Sequence, residues 1–291
     1  MLRQIAAVLG LAALIAGGAW MRTLPAGWLL SPVVQGFAWQ TSTTVNLYFV
    51  RRAFLFPVSR RLPATDQLPR AVLEALIAGP SPSSGLKSAI PREVALRSFS
   101  VVNTVARIDL SRGLGGVDDE RTALAAITET MTGVPGIRSV AVSVQGQPVA
   151  PAETRTPLLY FPSADGLVAV QTRAADAHAA LTAYLAGPPA PEMIGVPAGV
   201  RLLAYDYDAA NQLLSVGFTY TPSVRTLALE RPERTRMLLL GLIASLTEFP
   251  DVRAVRLDFG GQSRLGLGEC SDLLRSPQPR PALLNDERLL D

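Results

Sequence analysis

The sequence predicts an α+β fold made twice: two tandem homologous domains of βαββαβ type, each a roughly four-stranded sheet with two helices packed on one face, after an N-terminal apolar membrane segment. Three repeated features predict it. A helix-like run ends in LIAGP at Leu76–Pro80 and again in LAGP at Leu185–Pro188. Strand-like runs carrying Tyr48-Phe49 and Tyr160-Phe161 precede these two helices. The block LTEFPDVRAV at Leu246–Val255 is echoed as MTGVPGIRSV at Met131–Val140.

Taken in order, the chain first shows Arg3, then an uncharged stretch from Ile5 to Met21, then Arg22. A basic flank before an Ala/Leu-rich core is the profile of a signal peptide or signal anchor, and residues 1–22 are assigned to it. At about seventeen residues it lies near the lower limit of about twenty for crossing a bilayer. An uncleaved anchor through the cytoplasmic membrane at residues 5–21 is the expectation, with the body extracytoplasmic, or secreted where the segment is cleaved. No cysteine follows the run, so a lipid anchor is not expected. Residues 23–44, with Trp28 and Trp39, read as a stalk.

The first domain is assigned to 45–147. Val45–Val50 alternates Val45, Leu47 and Phe49 on one face, as a strand does. Residues 51–68 read as a loop because of Pro57 and Pro63. Pro69 opens a helix with Ala71, Val72, Ala75 and Leu76 at helical spacing, and Gly79-Pro80 closes it: the glycine takes a left-handed conformation and the proline cannot continue. After Ile90-Pro91, strands 94–102 and 105–110 meet at a tight turn, Asn103-Thr104. A helix from Glu120 to Thr132 follows, then a turn at Pro135 and a strand through Val140, Val142 and Val144.

The second domain, 158–262, repeats these events after a linker at 148–157. Its strand is 158–161 and its helix 174–186, ending at Gly187-Pro188. Pro197 stands where Pro91 stood, and strands 201–207 and 213–220 flank a turn at Asp208–Asn211. The helix at 237–246 is apolar nearly all round, which predicts deeper burial than its counterpart. Phe249-Pro250 then turns the chain into the strand of Val255, Leu257 and Phe259. Residues 263–291 read as a flexible tail.

The composition restricts chemistry. Cys270 and His178 are the only cysteine and histidine, so an intramolecular disulfide and a Cys-based metal cluster are excluded, and a metal on His178 would need carboxylates for all its other ligands. His178 lies two positions from Asp176 on a helix, where the two face apart, and no catalytic role is expected. Asp118-Asp119-Glu120 reads as a charge-favourable helix start, Asp206 and Asp208 as a solvated hairpin end, and Cys270 as an exposed or idle thiol. Gly113–Gly116 lacks the Lys-Ser/Thr of a phosphate loop. The 27 basic and 24 acidic residues are scattered, so no nucleic acid is expected as partner. No catalytic, cofactor or metal site is assigned.

The motif residues Tyr48, Phe49, Gly79, Pro80, Pro91, Pro135, Tyr160, Phe161, Gly187, Pro188, Pro197, Phe249 and Pro250 resemble those of the GerMN domain, the module of bacterial sporulation and spore germination proteins of the GerM-like family. The resemblance covers both repeats. It implies a non-enzymatic, membrane-tethered scaffold or binding protein of the cell envelope, without cofactors, related to modules that assemble envelope channels. Envelope proteins and self-association are the partners it suggests. The alternative is binding of a cell-wall polymer, peptidoglycan; a hydrolase ranks third.

Overall fold

In the computed structural model, which describes residues 42–149, 153–260 and 267–290, the first strands of the two repeats do not join the sheets of their own repeats. They build one sheet together. Strand β1 (Ser42–Arg51) pairs antiparallel with β2 (Phe54–Pro63), from Ser42 opposite Pro63 to Arg51 opposite Phe54. In the second repeat β8 (Leu158–Pro162) pairs with β9 (Leu167–Gln171). Contact between β2 and β9, at Leu55 opposite Ala169, fuses the hairpins into a four-stranded sheet of order β1-β2-β9-β8.

This departs from the expected loop at 51–68. Arg52 and Ala53 turn the chain with φ of 49° and 74°, a conformation seldom taken by such residues, so the turn leaves little trace in the sequence. Pro57 also argues against a strand. It is tolerated because β2 meets its second neighbour only at Leu55. Ser42–Thr44, assigned to the stalk, belong to β1. The apolar run 5–21 and the rest of the stalk lie outside the described residues, among which no helix is long and apolar enough to cross a membrane.

Each repeat adds an outer sheet. In the first, β3 (Leu96–Val102) and β4 (Val105–Leu110) form a hairpin, and β5 (Ser139–Val144) lies parallel to β4. The Asn103-Thr104 turn has φ of 51° and 66°, as a two-residue hairpin requires. Two short strands, β6 (Gln147–Pro148) and β7 (Glu153–Thr154), pair back onto β5. In the second repeat β10 (Leu202–Asp208) and β11 (Leu213–Phe218) form the hairpin, β12 (Ala254–Phe259) runs parallel to β11, and β13 (Gln278–Pro279) pairs onto β12.

The helices lie between layers, and not on one face of a single sheet. Helices α1 (Leu68–Ala78) and α2 (Val117–Thr132) pack on each other, and α2 touches both β1 and β5. In the second repeat α3 (Ala177–Ala186) packs on α5 (Pro232–Leu246), which touches β8 and β12. Sandwiching explains why α5 is buried on several sides from Leu238 to Leu246. An unforeseen helix, α4 (Pro222–Glu230), precedes it, with Thr221 Oγ1 accepting from the Val224 N–H at 3.3 Å and Pro222 at its first turn.

Gly79 and Gly187 do end α1 and α3, each giving its N–H to a carbonyl three residues back. Their geometry differs from the expected left-handed cap. With φ/ψ of 88°/−177° and 100°/168°, both occupy an extended positive-φ region essentially restricted to glycine.

The segment read as a flexible tail packs against the body. Leu267, Cys270, Leu273, Leu274, Leu284 and Asn285 are buried. The Cys270 thiol is not exposed: it donates to Pro232 O at 3.2 Å, and burial pushes its pKa up. Residues from Ser42 onward accordingly form one compact unit, not two separate bodies.

Candidate functional site

Successive strand residues point to opposite faces of a sheet, and this explains the paired Tyr-Phe motif. Phe49 and Phe161 enter the main core, with Phe161 stacked on Tyr184 at 4.6 Å. Tyr48 and Tyr160 turn the other way, into a second cluster that holds Leu55 and Ala126 from the first repeat, Leu158, Leu167, Ala169 and Ala244 from the second, and Leu284. This cluster is the seam between repeats. At its centre the two phenol oxygens meet at 2.8 Å.

The seam follows the internal repeat. β1 and β8 are the outer strands of the shared sheet, and each gives one N–H to a helix hydroxyl: Tyr48 N–H to Thr130 Oγ1 at 3.1 Å, Tyr160 N–H to Ser245 Oγ at 2.8 Å. Thr130 and Ser245 occupy matching places ahead of the MTGVPG and LTEFPD blocks.

Charged groups surround the tyrosines. Glu248, fully buried, accepts from Arg155 Nη2 at 2.8 Å, from Tyr160 O–H at 2.8 Å and from Arg280. Arg155 Nε also donates to the buried Glu129 at 3.1 Å. Arg280 donates to Tyr160 Oη at 3.0 Å, and its guanidinium carbon lies 5.6 Å from that ring's centroid. The two arginines are repeat equivalents. Arg155 follows β7, whose Thr154 faces Ser139; Arg280 follows β13, whose Pro279 faces Ala254. The linker and the tail are thus matching closing pieces of the two repeats. The match of Arg155-Thr-Pro-Leu-Leu to Arg280-Pro-Ala-Leu-Leu was the signal that sequence reading passed over.

The two carboxylates are not equivalent. Burial, opposed by Arg155 and reinforced by Glu248, raises the Glu129 pKa from 4.5 to about 7. Glu248 draws on both guanidiniums and one phenol, while Glu129 has Arg155 and the Thr156 N–H. Around Arg155 burial disfavours charge, but Glu248 together with Tyr48 and Tyr160 more than offsets it and the pKa rises. Burial likewise pushes both phenols up, so Tyr48 and Tyr160 stay protonated. Among the described residues Glu248 Oε2 has no hydrogen-bond partner.

A raised folded pKa means that the native state holds a proton which the unfolded chain releases. The contribution of Glu129 is therefore fully present below pH 4.5 and is lost as pH rises through about 7. Its upper bound, from the size of the shift, is about 3 kcal/mol. Urea unfolding at pH 5, 6, 7 and 8 should show this decline in wild type and a flatter profile in Glu129→Gln. Parallel profiles in the two proteins would remove Glu129 as its source.

A pocket of about 320 Å³ opens beside this cluster, lined by Asn46, Tyr48, Glu129, Thr130, Arg155 and Arg280 among others. Its charged lining is two arginines and one glutamate, an excess of cations that suits it to receiving polar or anionic groups. Of the motif residues named from sequence, Tyr48 and Pro135 line it, and Tyr160 lies behind Tyr48 in the adjoining cluster. Phe249 is buried in the main core; Pro80, Pro91, Pro188 and Pro197 are half-buried, while Pro135 and Pro250 are exposed. His178 is exposed on α3, its ring edge-on to Tyr205 at 4.9 Å. Asp118, Asp119 and Glu120 occupy the first turn of α2, and Asp118 faces Arg121 at 3.5 Å. Asp208 caps its hairpin turn by accepting from Ala210 N–H, Asn211 N–H and the Asn211 amide, which hold its pKa below the usual range. No group of three metal-ligating side chains occurs among the described residues.

Comparison with known proteins returns the same duplication. A family model, Germane, described as "Sporulation and spore germination", matches residues 40–150 and 158–264. The tandem GerMN domains of the sporulation protein GerM from Bacillus subtilis superpose with a TM-score of 0.66 at 18% identity, covering 84% of this chain and 99% of that one. The first GerMN domain of the same protein covers 39% of this chain and 98% of that one at 19% identity, TM-score 0.34. A putative lipoprotein from Clostridium perfringens covers 39% of this chain and 88% of that one at 21% identity, TM-score 0.29. No significant match is found among curated proteins.

Proposed function

The chain belongs to the Germane family of sporulation and spore germination domains, and from that premise we propose that it is a non-enzymatic envelope scaffold, tethered to the cytoplasmic membrane by residues 5–21 with its body extracytoplasmic. One observation carries this reading: the shared sheet and the Tyr48–Tyr160 seam fix the spacing of two equivalent outer sheets. Each outer sheet ends in an edge strand, β3 or β10. Val101, Val102 and Leu203 on these strands are exposed at 41%, 44% and 60%. Edge strands with free apolar side chains suit addition of a strand from a partner. Envelope proteins, including further copies of this chain, are the partners proposed.

Binding of a wall polymer is the second reading, supported by the polar pocket beside Arg155 and Arg280. Photo-crosslinking residues placed at Val102 and Leu203 of the full chain in cells distinguish the two. The scaffold reading expects protein adducts in the membrane fraction from both positions. Absence of adducts, together with co-sedimentation of the chain with purified peptidoglycan, would replace it by the second.

A further inference from the structure

One buried polar assembly is not used by the scaffold reading. The stretch Leu284–Glu287 lies in a receptor made by both repeats, and nearly every polar group in it is matched. Asn285 is 6% exposed. Its amide donates to Pro57 O at 2.6 Å and to Leu167 O at 2.9 Å, and its side-chain oxygen accepts from Leu167 N–H at 2.7 Å. Its backbone carbonyl accepts from Ser59 N–H at 2.7 Å, and Leu284 N–H donates to Ser59 Oγ at 3.0 Å. Two residues on, Glu287 takes a two-pronged contact from Arg60 and the Ser81 N–H at 3.0 Å.

The receptor side is specialised for this. Arg60 is itself placed by Gly79 O at 3.0 Å and Ala75 O at 3.3 Å, at the end of α1. Gly166, with φ of 142°, lies so close that an added Cβ would meet Asn285 Oδ1 at 2.4 Å. Two carbonyl oxygens facing one amide also define the ligand: an isosteric aspartate would set a carboxylate against both.

The internal repeat adds a second argument. In the matching Arg-x-x-Leu-Leu, the first Leu-Leu pair, Leu158-Leu159, opens β8 and runs on into Tyr160, whereas the second, Leu283-Leu284, runs on at Asn285 into this receptor. β2, the β8–β9 turn and the end of α1 supply the receptor, and the segment reaches it through the proline-rich stretch Ser276–Pro281. The segment meets β2 by a parallel bridge between Ser59 and Asp286 and then turns into a short 3-10 helix at Glu287–Leu289. Recognition of such a short stretch by a few side chains, on a surface made elsewhere, is how peptide sites work.

We propose that this receptor is a peptide-recognition site that reads Leu-Asn-x-Glu, filled here by the chain's own residues 284–287 and able to take the same segment from a second copy. Exchange of the segment joins two copies by contacts already present within one. Tethering gives the resident segment an effective concentration on the order of millimolar, so free peptide competes poorly until the resident contacts are weakened.

The test uses the full chain carrying Asn285→Asp with Glu287→Gln, and fluorescein-labelled PALLNDERLL, residues 281–290. The native peptide should bind this variant at least tenfold more tightly than it binds wild type, and at least tenfold more tightly than the peptide with aspartate for asparagine binds the variant. A folded variant that binds neither peptide, or both alike, overturns the proposal. Should the variant fail to fold, the wild-type chain decides: the Asn285 side-chain amide NMR signal moves to its free-chain position with several millimolar native peptide and stays put with the aspartate peptide. A signal indifferent to both peptides overturns the proposal as well.

Discussion

Alanine at Gly241 is expected to destabilise the whole body by about 3 kcal/mol, the range of overpacking in a well-filled core. On helix propensity alone the substitution should stabilise α5 by about 1 kcal/mol. Packing decides otherwise. An added Cβ would lie 2.3 Å from Tyr160 O, a backbone atom of β8, and 3.1 Å from both Leu167 Cδ2 and Tyr184 Oη. Helix and strand would have to separate, and the Ser245 hydroxyl that serves Tyr160 N–H would move with them. Gly113, which has nothing within 4 Å of an added Cβ and no positive φ, is the control, and alanine there should change stability by a few tenths of a kcal/mol at most. Urea unfolding midpoints of the two variants provide the comparison. A Gly241→Ala protein as stable as wild type would mean that α5 and β8 are not this close.

Gly241 illustrates what could be read from the sequence and what could not. Apolar residues nearly all round α5 announced a buried helix, because burial on several sides leaves no polar stripe. The sequence does not say what covers each side, since strand pairing between repeats joins residues far apart in the chain. The Tyr-Phe motif was legible as a strand. Its division of labour, with phenylalanine in one core and tyrosine in the seam, appears only once β1 and β8 are known to lie in the same sheet. β2 went unread for a local reason: Pro57 and Pro63 suggest a loop, and Arg52-Ala53 carries none of the usual turn residues.

The linker and tail misled for a compositional reason. Proline-rich stretches resemble spacers, yet Pro148, Pro279 and their neighbours form two-residue strands that need few backbone donors. Arg155 and Arg280 looked like scattered surface charge. Their role depends on Glu129 and Glu248, which hold no matching positions in the two repeats: Glu248 stands where the first repeat has Gly133, and Glu129 where the second has Ala244. The cations hold matching positions in the two repeats, whereas the acids do not.

That asymmetry sets the second large effect. Arg280→Ala is expected to cost about 3–5 kcal/mol, the usual penalty for removing one partner of a buried ion pair. Glu248 would keep Arg155 and Tyr160 O–H but lose one of its two cations while fully buried, with Oε2 already lacking a partner among the described residues. Adding Glu248→Gln removes the stranded charge, so the double variant should be less destabilised than the sum of the single ones by at least about 1 kcal/mol. Loss of the neighbouring segment could imitate part of this effect, and Asn285→Asp in the Arg280 background separates the two: a coupling to Glu248 unchanged by that substitution belongs to the ion cluster. Additive losses for Arg280→Ala and Glu248→Gln, read from urea unfolding at pH 7, would show that the contact between them contributes nothing of its own. The expected coupling instead makes the seam a single charged unit, in which a residue from beyond β13 holds an acid at the end of α5 against a tyrosine of the shared sheet.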